Sequence, residues 1–206
     1  MGSTSEVEEG EYVLGTSAAE RERLGLQDEL WAPATTAFLE RCGLARGMRV
    51  LDLGCGPGFV SLRLARRVGP EGSVVALDAS ARWRAHLEAR IAAEGLSNIR
   101  PVTARVEALA WDDAEFDLVF ARWVLSFVED VDALVQRVAR ALTPGGVLCV
   151  QDYNHEGISL FPRSAGFEAV GRPLRAHHAA SRGGTLRPGC LPPPVPPGGC
   201  PPPPPP

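Results

Sequence analysis

The sequence predicts an α/β domain built on a doubly wound parallel sheet, and three observations carry that expectation. Short, almost wholly apolar runs recur between residues 47 and 153 and alternate with helically spaced segments of roughly 10–15 residues. Strands apolar on both sides belong to a parallel sheet covered by helices on both faces. A glycine-rich turn, Gly54-Cys55-Gly56-Pro57-Gly58, directly follows the first run, and an acidic residue, Asp78, closes the second. In such folds ligands sit beyond the C-terminal ends of the strands.

Bulk properties set the frame for this reading. A chain of 206 residues is long enough for one domain with a real core and too short for two. Hydrophobic residues at 45% and charged residues at 22% are ordinary for a globular protein. A net charge of −4 gives no electrostatic reason to expect nucleic acid or an anionic membrane surface as partner. Every basic residue is arginine, and with the abundance of Ala, Gly and Pro this suggests a GC-rich coding sequence. The start, MGSTSEVEEGEY, is polar and acidic, unlike a secretory signal. Glu6 stands where a myristoylation signal needs Ser or Thr. No apolar run approaches the ~20 residues of a membrane span. The cysteines (Cys42, Cys55, Cys149, Cys190 and Cys200) form no CxxC pair or zinc spacing, so reduced thiols and a cytoplasmic location are expected.

The elements follow in order. Residues 1–16 read as a lead with Tyr12 and Leu14 as its large anchors, and the run Glu6, Glu8, Glu9, Glu11 as a solvated end. Ser17-Ala-Ala-Glu20 fits a capping box for a short helix that Gly25 interrupts. A second helix is expected after Pro33, ending at Gly43. Arg49–Gly54 is the first strand with its turn. Residues 59–68 place Val60, Leu64, Ala65 and Val68 at helical spacing, with Gly69 as a stop. Ser73–Asp78 is the second strand. Ser80 caps a helix carrying Trp83, Leu87 and Ile91, closed by Gly95. Ile99–Val106 is the third strand, and Pro101 inside it argues for a sheet edge because proline cannot donate to the ladder. Phe116–Ala121 is the fourth strand. A helix with Leu134, Val135, Val138 and Leu142 stops at Pro144-Gly145-Gly146, and Val147–Tyr153 is the fifth strand. From about residue 170 the pattern ends. The stretch from Arg182 is Gly, Arg and Pro and finishes in six prolines, a composition for disorder or polyproline II. The expected division is a lead and helical lid over 1–45, the ligand-binding domain over 46–170, and a disordered tail over 171–206.

The chemistry concentrates in VLDLGCGPG (50–58). Glycines at 54, 56 and 58 allow a tight turn and close approach of backbone to a ligand. A dinucleotide fingerprint needs its third glycine at position 59, where Phe59 stands. Asp52 would repel a pyrophosphate and suits a positive ligand end, an ammonium or a sulfonium. Asp78, roughly 20 residues past the turn, is placed to accept the ribose hydroxyls of a nucleoside. Each feature alone is common; the order strand–DxGxGxG–helix–strand–Asp is specific.

In these residues the chain resembles the class I S-adenosylmethionine-dependent methyltransferases, with their Rossmann-like fold, and in particular the small-molecule branch of ubiquinone/menaquinone-biosynthesis type. The matching pieces are VLDLGCGPG (50–58), VVALDAS (74–80), FDLVFARWVLSFVED (116–130) and LTPGGVLCVQDY (142–153), with EYVLGTSAAERERLGLQ (11–27) similar to a lid segment. The resemblance implies S-adenosylmethionine as cofactor and a small organic molecule as methyl acceptor. It places Gly54 and Gly56 against the methionine part, with Asp52 helping to hold that region and Cys55 and Gly58 of the same turn also among the cofactor-binding residues. It gives Asp78 the ribose and lets Ala79 pack on the adenine. Arg105 and Val106 occupy the positions where the family pairs a carboxylate with a backbone donor to the adenine. The donor at Val106 is kept and the acceptor is lost at Arg105, a loss of ~1 kcal/mol, or up to ~3 if the amine is buried unpaired. The backbone at Ala121-Arg122 would meet the cofactor's ammonium. Arg122 also stands where other subclasses carry a metal-ligating Asp or a base-recognition motif, so no metal site is expected.

Methyl transfer demands chiefly alignment and desolvation, with a base where the acceptor must lose a proton. Asp152, Tyr153 and His155 follow the fifth strand, and of these His155 and Tyr153 are the candidate catalytic residues. Trp123 is read as core or as pocket wall, and Tyr12 and Gln27 as closing over the cofactor. His177 and His178 receive no role. Such folds usually end in a further helix and an antiparallel strand pair. Phe161, Phe167 and Val170 are usable anchors for the helix, but nothing after Arg172 has the apolar content for two strands. The sheet is therefore expected to have order 3-2-1-4-5 with the last strand pair missing, the C-terminal end being truncated or replaced. An alternative function follows: a fragment that binds S-adenosylmethionine but is inactive. A nicotinamide dehydrogenase is disfavoured by Phe59 and Asp52, and docking of the proline run on a partner is a weaker reading.

Overall fold

The computed structural model describes residues 16–108, 111, 113–153, 162, 164–166 and 169. Helix α1 (Ala18–Arg41) is followed by β1 (Arg49–Leu53), α2 (Phe59–Val68), β2 (Ser73–Asp78), α3 (Ala81–Glu94), β3 (Ile99–Thr103), β4 (Phe116–Arg122), α4 (Val131–Ala141) and β5 (Leu142–Gln151). Single 3-10 turns lie at Val106–Ala108 and Leu125–Phe127. The five strands form one parallel sheet of order β3-β2-β1-β4-β5, the order the sequence predicts.

Period-two burial explains the layers. Leu51, Leu53, Val75, Leu77, Val119 and Ala121 join one core cluster, while their neighbours Val50, Val74, Leu118 and Phe120 join another. Both faces of the central strands are thus covered, as runs without polar alternation require. The helices supply the covers from expected positions. Val60, Leu64, Ala65 and Val68 of α2 pack in the cluster containing Val50, and Leu134, Val138 and Ala141 of α4 in the other. Ser80 Oγ accepts from Trp83 N at 3.2 Å to start α3, and Gly95, in the left-handed region, ends it.

Three expectations need correction. Residues 18–41 form one helix rather than two. Ser17 Oγ does accept from Glu20 N at 3.1 Å, but Gly25 does not break what it starts. Gly25 lies against Phe59, whose ring tip is 3.5 Å from where a Cβ would stand. Burial of Asp28, Thr35 and Leu39 on one face outweighs the propensity losses at Gly25 and Pro33. The third strand ends at Thr103 rather than Val106, although it does lie at the sheet edge as Pro101 demands. Leu142 leaves the fourth helix and opens β5. The pairing jumps from Phe116↔Leu142 to Leu118↔Val147, so Thr143–Gly146 is an irregularity within the strand rather than a loop before it. The anchors Phe161, Phe167 and Val170, the absence of a last strand pair, and the tail lie outside the described residues.

No helix among the described residues is long and apolar enough to cross a membrane.

Candidate active site

The ends of β1 and β2 place two buried carboxylates on either side of the glycine turn. Asp52 is 3% exposed and accepts from Ser61 Oγ of α2 at 2.5 Å. Burial raises its pKa to about 6, against the hydroxyl and the fields of Arg122 and Arg63, while the charge of Asp78 adds to the rise. Asp78 Oδ2 accepts the backbone N–H of Gly56 at 2.8 Å, and Oδ1 that of Ser80 at 2.8 Å. Burial pushes its pKa up and these two hydrogen bonds oppose the push.

The three motif glycines all have positive φ, yet they serve different ends. A Cβ on Gly54 would stand 2.3 Å from Val124 Cγ2, and one on Gly58 2.4 Å from Leu87 Cδ1; these two let neighbouring elements close up. Gly56 has nothing within 4 Å of its Cβ position. Its missing side chain leaves open space on a cavity of about 310 Å³.

That cavity lies between the strand ends and α1. Its floor is Asp52 and residues 54–57, and its far wall is Arg122, Trp123, Ser126, Phe127 and Tyr153. Arg23, Leu24 and Gln27 of α1 form its roof. Trp123 leaves β4 with φ 57°, a strained conformation for a bulky residue that is characteristic of functional sites. Its backbone N–H is held by Gln151 O at 3.0 Å. Its ring stacks on Tyr153 (centroids 5.6 Å apart, planes at 10°), meets Trp31 edge-on at 6.0 Å, and carries the Arg122 guanidinium 4.6 Å from its centroid. Tyr153 Oη accepts from Gln27 Nε2 at 2.9 Å, joining the roof to the end of β5. Burial raises the Tyr153 pKa, so the phenol keeps its proton near neutrality. Asp152 instead accepts the N–H groups of Val124 and Leu125 through Oδ2, at 3.1 and 2.9 Å, fixing the 3-10 turn beside the wall.

The structure brings together Asp52, Gly54, Cys55, Gly56, Arg122 and Tyr153 on one cavity. It does not bring Gly58, Asp78, Ala79, Arg105, Val106 or Ala121 to that wall. Gly58 caps α2, Asp78 acts on the cavity through Gly56, and Ala121 belongs to the core. Arg105 Nε lies 3.6 Å from Glu107 Oε2. Trp123 proves to be a wall residue. His155 and Tyr12 lie outside the described residues. Sequence reasoning missed Arg23, Leu24, Phe59, Ser126 and Phe127 as lining residues, and it missed Asp28. Phe127 is half exposed, and its place in an apolar run gave no sign of that. Among the described residues no cluster of three or more His, Cys, Asp or Glu is arranged to hold a metal.

Comparisons with known proteins agree with this geometry. Residues 50–146 match the methyltransferase domain family. The demethylmenaquinone methyltransferase of Lactococcus lactis is 32% identical over 126 residues, covering 61% of this chain and 49% of that one. The trans-aconitate 2-methyltransferase of Variovorax paradoxus is 38% identical over 125 residues, covering 61% and 46%. The chain thus spans about half the length of the curated relatives it matches. A crystal structure of an S-adenosylmethionine-dependent methyltransferase from Aquifex aeolicus superposes with a TM-score of 0.61 at 23% identity, covering 78% of this chain and 87% of that one, which shows a shared fold. The sheet order, the glycine turn flanked by Asp52 and Asp78, and the match over residues 50–146 point the same way: the chain is similar to S-adenosylmethionine-dependent methyltransferase domains, among them those of the menaquinone- and ubiquinone-biosynthesis branch.

Proposed function

We propose that the chain is an S-adenosylmethionine-dependent methyltransferase acting on a small organic acceptor. The observation that carries this reading is the cavity at the C-terminal ends of the strands, floored by a buried carboxylate and an open glycine. Its residues fit the cofactor. A buried Asp52 beside an opening at Gly56 suits a ligand end that is positively charged and approaches the backbone closely. A volume of about 310 Å³ lies at the small end of the range for ligand pockets, and Asp78 stands next to the cavity for the nucleoside.

On this reading Asp52, Gly54, Cys55 and Gly56 hold the methionine part, with the backbone at Ala121-Arg122 facing its ammonium. Asp78 takes the ribose, and Ala79 and Val106 flank the adenine, with Arg105 in place of the usual acceptor. When bound, S-adenosylmethionine supplies a methyl group made electrophilic by its sulfonium. The chain's own contribution is alignment and exclusion of water. Trp123 and Tyr153 form an aromatic wall for the acceptor, and Gln27 holds Tyr153 in place from α1. Tyr153, protonated near neutrality, orients the acceptor rather than removing its proton. His155 remains the candidate base where the acceptor needs one.

The rest of the reading is consistent with this chemistry. The acceptors named for the relatives, demethylmenaquinone and trans-aconitate, are small molecules. The net charge of −4 offers no pull on nucleic acid or on an anionic membrane surface. Cys42 and Cys55 form no disulfide, which suits a reducing compartment, so a cytoplasmic location is part of the proposal. So is the division into a lid (1–45), a cofactor domain (46–170) and a tail (171–206).

Calorimetric titration with S-adenosylmethionine, S-adenosylhomocysteine and NADH tests the proposal. Binding of the two sulfur nucleosides alone is the expected result; binding of NADH alone, or of none by a folded sample, overturns it. Turnover with a panel of small acceptors then separates an active enzyme from the inactive-fragment alternative, which no feature of the site favours.

A further inference from the structure

Asp28 is a buried carboxylate of α1, on the same helix face as Thr35 and Leu39. Two guanidinium groups bind the same oxygen of its carboxylate. Arg122 Nη2 donates to Asp28 Oδ1 at 2.7 Å, and Arg63 Nη2 of α2 pairs with the same atom. Arg122 also donates through Nη1 to Thr35 Oγ1 at 3.3 Å, and Thr35 Oγ1 donates to Gln151 Oε1 at 2.8 Å. One helix thereby fixes the polar ends of β4 and β5.

The same two arginines act on Asp52. Both guanidinium fields reach its carboxylate, and Arg122 shares the cavity with it. Two cations thus stand beside two carboxylates, and how they pair decides the charge the cavity presents. We infer that Asp28 is a positioning residue for the cofactor: by holding Arg63 and Arg122 it keeps them from pairing with Asp52, whose charge is left for the sulfonium of S-adenosylmethionine. Asp28 lies outside the motifs on which the cofactor assignment was built, and the inference rests on the cofactor reading proposed above.

The two sulfur nucleosides make the test. S-adenosylmethionine carries one positive charge more than S-adenosylhomocysteine and is otherwise nearly the same shape. In Asp28→Asn, Arg122 and Arg63 turn toward Asp52 and the cavity becomes more positive. The dissociation constant for S-adenosylmethionine then rises by about fivefold or more relative to that for S-adenosylhomocysteine, the scale of an ordinary coupling between sites. Asp28→Glu restores the wild-type ratio. Arg63→Gln, a change at a partly exposed side chain, removes one cation and moves the ratio the other way. This second variant keeps the test open where Asp28→Asn fails to fold. Calorimetry of the full chain reads all three. Equal weakening of both nucleosides in Asp28→Asn, or an unmoved ratio in Arg63→Gln, reduces Asp28 to a structural brace and overturns the inference. Failure of the wild-type chain to bind either nucleoside overturns the cofactor reading, and this inference with it.

Discussion

The backbone N–H of Gly56 is tied to the Asp78 carboxylate at 2.8 Å, so the turn after β1 is set by the residue that closes β2. Asp78 accepts a second backbone N–H from Ser80. Asp78→Asn replaces one accepting oxygen by a donor facing a donor. Leaving such a buried group unsatisfied costs about 1–3 kcal/mol, seen as a lowered thermal midpoint. On the proposed function it also removes the charged acceptor for the ribose, so affinity for S-adenosylmethionine falls by about tenfold or more. A variant with a lowered midpoint and wild-type affinity would assign Asp78 to the turn alone.

The glycines of the motif separate stability from binding. In Gly54→Ala the new methyl meets Val124 at 2.3 Å with φ at 69°. Backbone strain of about 1–2 kcal/mol adds to overpacking of about 1–3 kcal/mol. In Gly56→Ala the strain is of the same kind, but the methyl enters open space. Urea denaturation is expected to show the larger loss for Gly54→Ala. Calorimetry is expected to show a strong loss of cofactor affinity in Gly56→Ala even where the protein is folded.

These residues also mark what was legible in the sequence. The strands β1, β2 and β4 were legible as local apolar runs, because both faces of each strand are buried, whereas the sheet order came from the resemblance to the methyltransferases. The carboxylate pair was legible because its spacing is fixed by one strand–turn–helix–strand unit. The single helix α1 was not, since Gly25 and Pro33 are local break signals and the packing that overrides them comes from Phe59 and from the partners of Asp28. The roof of the cavity was hidden for the same reason. Asp28 and Arg122 lie 94 residues apart, and no periodicity links them. Trp123 was ambiguous in sequence because an aromatic residue after a core strand reads equally as core; its left-handed backbone is what turns it to the cavity.

Asp52 gives the binding reaction a pH dependence. Its folded-state pKa of about 6 stands above the ordinary 3.8, so the fold favours the neutral carboxyl. The stabilisation this brings is fully present below about pH 4 and is lost as pH rises through about 6. A positive ligand favours the ionised form. Affinity for S-adenosylmethionine should therefore rise with pH up to about 6 and level off above it, with roughly tenfold weaker binding one unit below the pKa. Proton release on binding at pH 5.5, read from the buffer dependence of the calorimetric heat, should accompany it. Asp52→Asn is expected to bind more weakly at neutral pH and to lose the dependence; an unchanged profile in that variant would locate the titration elsewhere.

Tyr153 offers the sharpest distinction between aligning an acceptor and deprotonating it. Burial raises its pKa, and its hydroxyl is engaged by Gln27, while its ring is stacked on Trp123. Tyr153→Phe keeps the stack and removes only the hydroxyl. A general base is worth about 10²–10⁴ in rate, whereas loss of one neutral hydrogen bond is worth about 0.5–1.5 kcal/mol, or tenfold or so. The expected result is a fall in kcat of no more than about tenfold, with the pH–rate profile unchanged. Trp123→Ala removes the wall itself and should raise the acceptor KM while leaving cofactor affinity within a few-fold of wild type. A loss of 100-fold or more in Tyr153→Phe, with one limb of the pH profile gone, would make Tyr153 the base and require that the bound acceptor lower its pKa.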